Sequence, residues 1–151
     1  VILGAGAGLS GRLPERVRER EGLAYAVDVS AVAGCGLEAG RLAVYVGVMP
    51  DRVDQAETAV REELERLVTD GVTDAEVADA RAYLIGREPF RRETLKQRAE
   101  RIAESEVYGL PDDRPGIVAE RLAAVDRSTV EAAVRRWIRP DALRVTIGRP
   151  G

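Results

Sequence analysis

From Leu23 to Val32 the chain alternates between apolar and small or polar positions, and Leu42–Met49 (LAVYVGVM) resumes that rhythm after a glycine-bearing turn over 33–40. This alternation predicts two strands, and so short a connection pairs them antiparallel. From Pro50 the period lengthens to about 3.6 residues. Val53, Ala56, Val60, Leu64 and Leu67 then mark one face of a helix over 52–69, which Thr69-Asp70-Gly71 ends. Thr73 and Glu76 have the capping-box spacing that opens a second helix, with Val77, Ala80 and Leu84 inward, and Pro89 breaks it. A third helix is expected over 92–108, with Leu95, Ala99, Ile102 and Val107 on one side. Residues 109–116 read as a loop and Ile117–Ala124 as a short helix. Ser128 with Glu131 caps a last helix ending near Trp137. Pro140 closes it, and Leu143–Ile147 (LRVTI) reads as a final strand. Ahead of the hairpin, residues 12–20 predict a short helix that Gly22 terminates in a left-handed conformation.

Strands and helices therefore segregate, which predicts an α+β two-layer sandwich: a mainly antiparallel sheet with helices packed on one face. A single domain over residues 1–151 is expected. Three strands make a thin sheet, so a further strand and helix are expected upstream of Val1. A hydrophobic share of 45% and a charged share of 32% fit a soluble domain. The net charge of -3 argues against nucleic acid or an anionic membrane as partner. No apolar run approaches the ~18 residues of a membrane span, so the chain is expected to be soluble, in the cytoplasm or periplasm. Cys35 is the only cysteine and the chain has no histidine. An internal disulfide and a cysteine zinc cage are thereby excluded, and a cysteine nucleophile would lack its usual base. Cys35 reads as a small turn residue.

The opening VILGAGAGLSG carries G-x-G-x-x-G at Gly6, Gly8 and Gly11, with Asp28 near the place of a ribose-binding acid. Dinucleotide binding nevertheless demands a crossover helix that buries a full apolar face. The stretch that follows offers only Leu13 and Val17 as large apolar residues, and carries Pro14. The next two strands are joined by a tight turn rather than a helical crossover. The glycines read as a loop that delivers the chain to its first helix.

Residues 8–25, GLSGRLPERVREREGLAY, resemble a segment of the C-terminal halves of the insulinase family, which includes pitrilysin and the mitochondrial processing peptidase. The family's glycine-rich run, Ser-Arg-Leu element, Arg-Glu-x-x-Gly helix end and Leu-Ala-Tyr strand start are matched by Ser10, Arg12, Leu13, Arg18, Glu19, Gly22, Leu23, Ala24 and Tyr25. Pro14 stands where the family has an aromatic residue. Weaker likeness continues through a Tyr-Val-Gly strand before Pro50-Asp51, Gly71-Val72-Thr73, Ala80-Arg81-x-x-Leu84-x-Gly86 and Arg139-Pro140. The resemblance implies one half of a zinc metalloendopeptidase whose other half carries the zinc motif H-x-x-E-H. It implies no metal in this chain, zinc in a homologous partner domain or subunit, and a peptide substrate. It also assigns Arg18 and Tyr25 to substrate positioning and stabilisation of the tetrahedral intermediate. Taken without the resemblance, Arg18 is an ordinary helix charge beside Arg16 and Arg20. Tyr25 is then a plain sheet residue in step with Leu23 and Val27. A non-catalytic structural homologue of the same fold is the alternative.

Overall fold

The structure, a computed structural model, describes residues 1–4, 10–33, 36, 39–111 and 114–148. Two compact units emerge: Val1–Val72 with Ser128–Gly151, and Thr73–Arg127.

In the first unit a short α-turn, α1 (Arg12–Pro14), widens into a π-helical segment (Glu15–Arg20) and leads into β1 (Ala24–Ala33) and β2 (Arg41–Val48). The strands pair antiparallel with Val27 opposite Val46, Asp28 opposite Tyr45 and Val29 opposite Val44. Pro50–Arg52 forms a 3-10 turn before α2 (Val53–Thr69). The apolar stripe read from the sequence decides how α2 packs: Ala56, Leu64 and Leu67 are buried, with Ala59 beside them. The core joins Val17, Leu23 and Ala24 to Ala56 and Ala59, with Val27, Val46, Val48 and Val60 packed against it. One sheet face thus meets helix, and the side carrying Asp28 and Tyr45 is exposed. The Arg12 guanidinium donates to the Gly71 carbonyl at 2.9 Å, tying the first helix to the end of α2. The unit also holds most of α6 (Arg127–Trp137) and a 3-10 turn at Pro140–Ala142. The expected strand at Leu143–Ile147 does not form; the sheet of the described residues has two strands. Alternating side chains are not sufficient for a strand, because its amides and carbonyls need a neighbour to bond. Val145 and Ile147 remain half-exposed.

The second unit contains α3 (Asp74–Arg87), a 3-10 turn at Pro89–Arg92, α4 (Leu95–Tyr108) and α5 (Arg114–Ala123). Thr73 and Glu76 form the expected reciprocal capping box on α3. Pro89 ends that helix as predicted. Arg81 donates to the carbonyls of Ala123 and Val125, both at 3.3 Å, capping the end of α5. The segment read as a loop over 109–116 is helical from Arg114, so α5 begins three residues before the expected Ile117. Asp112 and Asp113 lie outside the described residues. The predicted inner face of α4 is not buried: Leu95 is 83% exposed, and Ile102 and Val107 are each 66% exposed. Periodicity gives a helix an apolar stripe, and only a neighbouring element can cover it. Caps define α4 instead, a Thr94–Gln97 capping box at its start and left-handed Gly109 at its end. The Arg101–Glu88 ion pair at 2.6 Å fastens α4 to the turn before it.

Candidate functional site

The segment that carries Arg18 and Tyr25 is built from the inside outward. Leu13 and Val17, both fully buried, anchor the helix that starts at Arg12. Pro14 falls within its first turn, where a missing N–H leaves no bond unmade. The departure at Pro14 therefore leaves the helix start intact. The helix ends in wide turns: the Glu21 amide donates to the Arg16 carbonyl at 3.0 Å and the Leu23 amide to the Val17 carbonyl at 2.8 Å. Closing the second bond requires the chain to reverse at Gly22, whose φ is +58°. Glycine adopts that conformation without the Cβ clash that penalises other residues.

Arg16, read from the sequence as one of three similar helix charges, has a separate structural task. Its side chain is 17% exposed and forms ion pairs with Glu21 at 2.8 Å, with Glu62, and with Glu63 at 3.6 Å. Burial would lower the guanidinium pKa, but the hydrogen bonds and charges of Glu21 and Glu62 outweigh it and leave the group above its ordinary value. Arg16 thereby clamps the end of the helix onto α2. Glu63 is buried beside this clamp and also meets Arg66 at 3.9 Å.

Regular alternation would put Tyr25 on the same face as Leu23 and Val27, toward the helix. A β-bulge between Ala24 and Ala26 prevents this: Ala24 pairs with Val48, Ala26 pairs with Gly47, and Tyr25 is the extra residue. Ala24 is 7% exposed whereas Tyr25 is 67% exposed. Bulges redirect side chains in this way, and they concentrate near functional sites. The Tyr25 ring lies over Gly47, in the space a side chain there would occupy. Tyr25 is thus an exposed phenol set on an otherwise packed strand start.

Arg18 projects from the π-helical segment with its side chain 37% exposed, its ion pair being with Glu19 at 3.8 Å. Neither Arg18 nor Tyr25 is buried. Among the described residues no hydrogen bond or ion pair joins them. The structure brings them into one helix–turn–strand unit and leaves both heads accessible. The bulge and Gly47 were not anticipated. The signal was present, because an isolated glycine inside a strand marks a bulge or a close approach.

The dinucleotide reading loses its structural basis. The amides of Arg12 and Leu13, which would face a pyrophosphate, donate to the carbonyls of Ile2 and Leu3 at 2.9 and 3.2 Å. The following strands form an antiparallel hairpin. Gly6, Gly8 and the Cys35 turn lie outside the described residues. Zinc does not fit the residues present either. The chain has no histidine, and among the described residues no group of three or more acidic or cysteine side chains is arranged to hold a metal. Glu62 and Glu63 of α2 are taken up by Arg16.

The family profile described as the peptidase M16 inactive domain matches residues 2–84, a span that contains the helix, the Gly22 turn, the bulge and α2. The chain belongs to the peptidase M16 inactive-domain family. This M16 domain is 33% identical over 132 residues to an uncharacterized zinc protease of Streptomyces coelicolor, covering 86% of the chain and 28% of the relative. An uncharacterized zinc protease of Mycobacterium tuberculosis is 32% identical over 127 residues, covering 83% of the chain and 28% of the relative. The non-peptidase homolog YmxG of Helicobacter pylori is 34% identical over 110 residues, covering 70% and 24%. The M16 domain thus spans about a quarter of the length of these relatives. The peptidase M16 inactive domain from Pseudomonas fluorescens superposes with a TM-score of 0.81 at 21% identity, covering 93% of this chain and 32% of that one. That likeness establishes the α+β fold.

Proposed function

We propose that this M16 domain is the substrate-binding, zinc-free half of a zinc metalloendopeptidase, with Arg18 and Tyr25 supplied to a cleft whose metal belongs to a homologous domain or subunit. The observation that carries the reading is the bulge-exposed phenol of Tyr25, seven positions after Arg18 along the chain. When a peptide carbonyl is attacked, negative charge develops on its oxygen. A phenol O–H placed beside that oxygen donates a hydrogen bond that strengthens in the transition state. A guanidinium fork suits substrate backbone carbonyls and resists their misorientation. Arg18 is free enough of carboxylate partners to take that role, whereas Arg16 is committed to its clamp. The relatives named as zinc proteases in Streptomyces coelicolor and Mycobacterium tuberculosis favour the same reading.

In the enzyme containing both halves, Tyr25→Phe is expected to lower kcat by about 10²–10³ with little change in KM, as for loss of one oxyanion donor. A wild-type rate in Tyr25→Phe would remove the phenol from the mechanism. A second reading, a non-catalytic homologue of the same fold, is favoured by the 34% identity to the non-peptidase homolog YmxG. It predicts that no zinc-bearing partner confers peptide cleavage on the assembly.

A further inference from the structure

We infer that Gly47 is a positioning residue for Tyr25: the missing side chain on β2 is the seat on which the phenol ring rests. This goes one step beyond the function proposed above and relies on it for its catalytic consequence. The seat itself is a matter of local geometry. A Cβ built on Gly47 would stand 2.8 Å from Cε2 and 2.8 Å from Cζ of Tyr25, and 3.1 Å from its hydroxyl oxygen. Carbon atoms in contact prefer about 3.5–4.0 Å, so ordinary contact with a side chain at this position requires the ring to move by roughly 0.7–1.2 Å.

The register explains why Gly47 and not a neighbour is the seat. Tyr25 is the extra residue of the bulge, and Ala26 beside it pairs with Gly47. A bulge turns the phenol outward but leaves its direction open, because an exposed tyrosine samples several staggered rotamers. With a glycine opposite, the ring occupies the space that a side chain on the partner strand would fill. A larger residue there would hold the ring off and return it to solvent, where it is already 67% exposed. Gly47 itself is buried, and its φ lies outside the left-handed region. Its glycine identity is thus required by the ring above it and not by the conformation of the strand.

Because the ring is exposed and the strand is paired, substitution should move the phenol and spare the fold. A displacement near 1 Å of a group acting in the transition state costs about 10²-fold in rate. In the enzyme with both halves, Gly47→Ala is expected to lower kcat roughly 10–100-fold with KM nearly unchanged. In a Tyr25→Phe background the same substitution should change kcat by less than about threefold, since the hydroxyl it misplaces is already gone. A second readout is independent of catalysis: the Gly47 Hα resonances should lie upfield, under the ring, and shift downfield in Tyr25→Leu.

Each failure has its own signature. If Gly47→Ala keeps the wild-type kcat while Tyr25→Phe loses it, the seat is refuted and the peptidase role of Tyr25 stands. If Gly47→Ala costs as much in the Tyr25→Phe background as in the wild type, Gly47 acts through the strand and the proposal fails. Should Tyr25→Phe cleave normally, the catalytic role falls, and the Hα shift alone decides the seat: unchanged in Tyr25→Leu, it refutes it.

Discussion

Gly22→Ala tests the turn on which the proposed site depends. Gly22 sits at φ +58° with no heavy atom within 4 Å of the place a Cβ would take. Sterics with neighbours therefore contribute nothing, and the cost is that of the backbone alone. Holding an L-residue in the left-handed region costs about 1–2 kcal/mol. Replacing glycine also removes freedom from the unfolded chain, which returns about 0.4–1 kcal/mol. The net expectation is a loss of roughly 1 kcal/mol, or about 2–4 °C in Tm for a chain of this size. Urea unfolding followed by circular dichroism should show a lower midpoint with an unchanged slope. Gly22→Asn, whose side chain tolerates the left-handed region, should lose less. The Leu23 amide reports the same event locally, because its 2.8 Å bond to the Val17 carbonyl requires the reversal at Gly22. Its hydrogen exchange should accelerate in Gly22→Ala. Stability equal to the wild type in Gly22→Ala, with Gly22→Asn no better, would refute the left-handed turn and the path by which Arg18 and Tyr25 share one unit.

Two further outcomes follow from the packing and the caps. Leu64 is 1% exposed in the face that α2 turns inward, so Leu64→Ala should cost about 2–5 kcal/mol, read as a lowered Tm; a shift under a degree would contradict its burial. Thr94 accepts from the Gln97 amide at 3.2 Å and the Gln97 side chain accepts from the Thr94 amide at 2.9 Å, so Thr94→Ala should cost about 1 kcal/mol and speed hydrogen exchange in the first turn of α4 roughly fivefold; unchanged exchange there would remove the cap from the account of that helix.

Much of the molecule was legible along the chain. The hairpin, the inward stripe of α2, the Thr73–Glu76 box, the break at Pro89 and the stop at Gly22 each depend on residues a few positions apart, and local physics fixes them. The Thr94–Gln97 box was equally local and was missed because the periodic stretch was read back to residue 92, through its N-cap. The resemblance carried by residues 8–25 was also legible, because a fixed order of residue types survives without coordinates.

What required the tertiary structure were questions of partnership. Leu143–Ile147 has the alternation of a strand and, among the described residues, no strand beside it. Leu95, Ile102 and Val107 have helical spacing and are nevertheless exposed. Arg16, Arg18 and Arg20 are nearly equivalent as letters, yet only Arg16 reaches both Glu21 and the carboxylates of α2. Simple alternation would set Tyr25 in step with Leu23 and Val27, and a one-residue bulge against Gly47 turns it outward. Periodicity specifies which side of an element is apolar, because that depends on the geometry of one element. Which residue is exposed, clamped or seated depends on atoms brought close from distant positions, and only the folded chain supplies those distances.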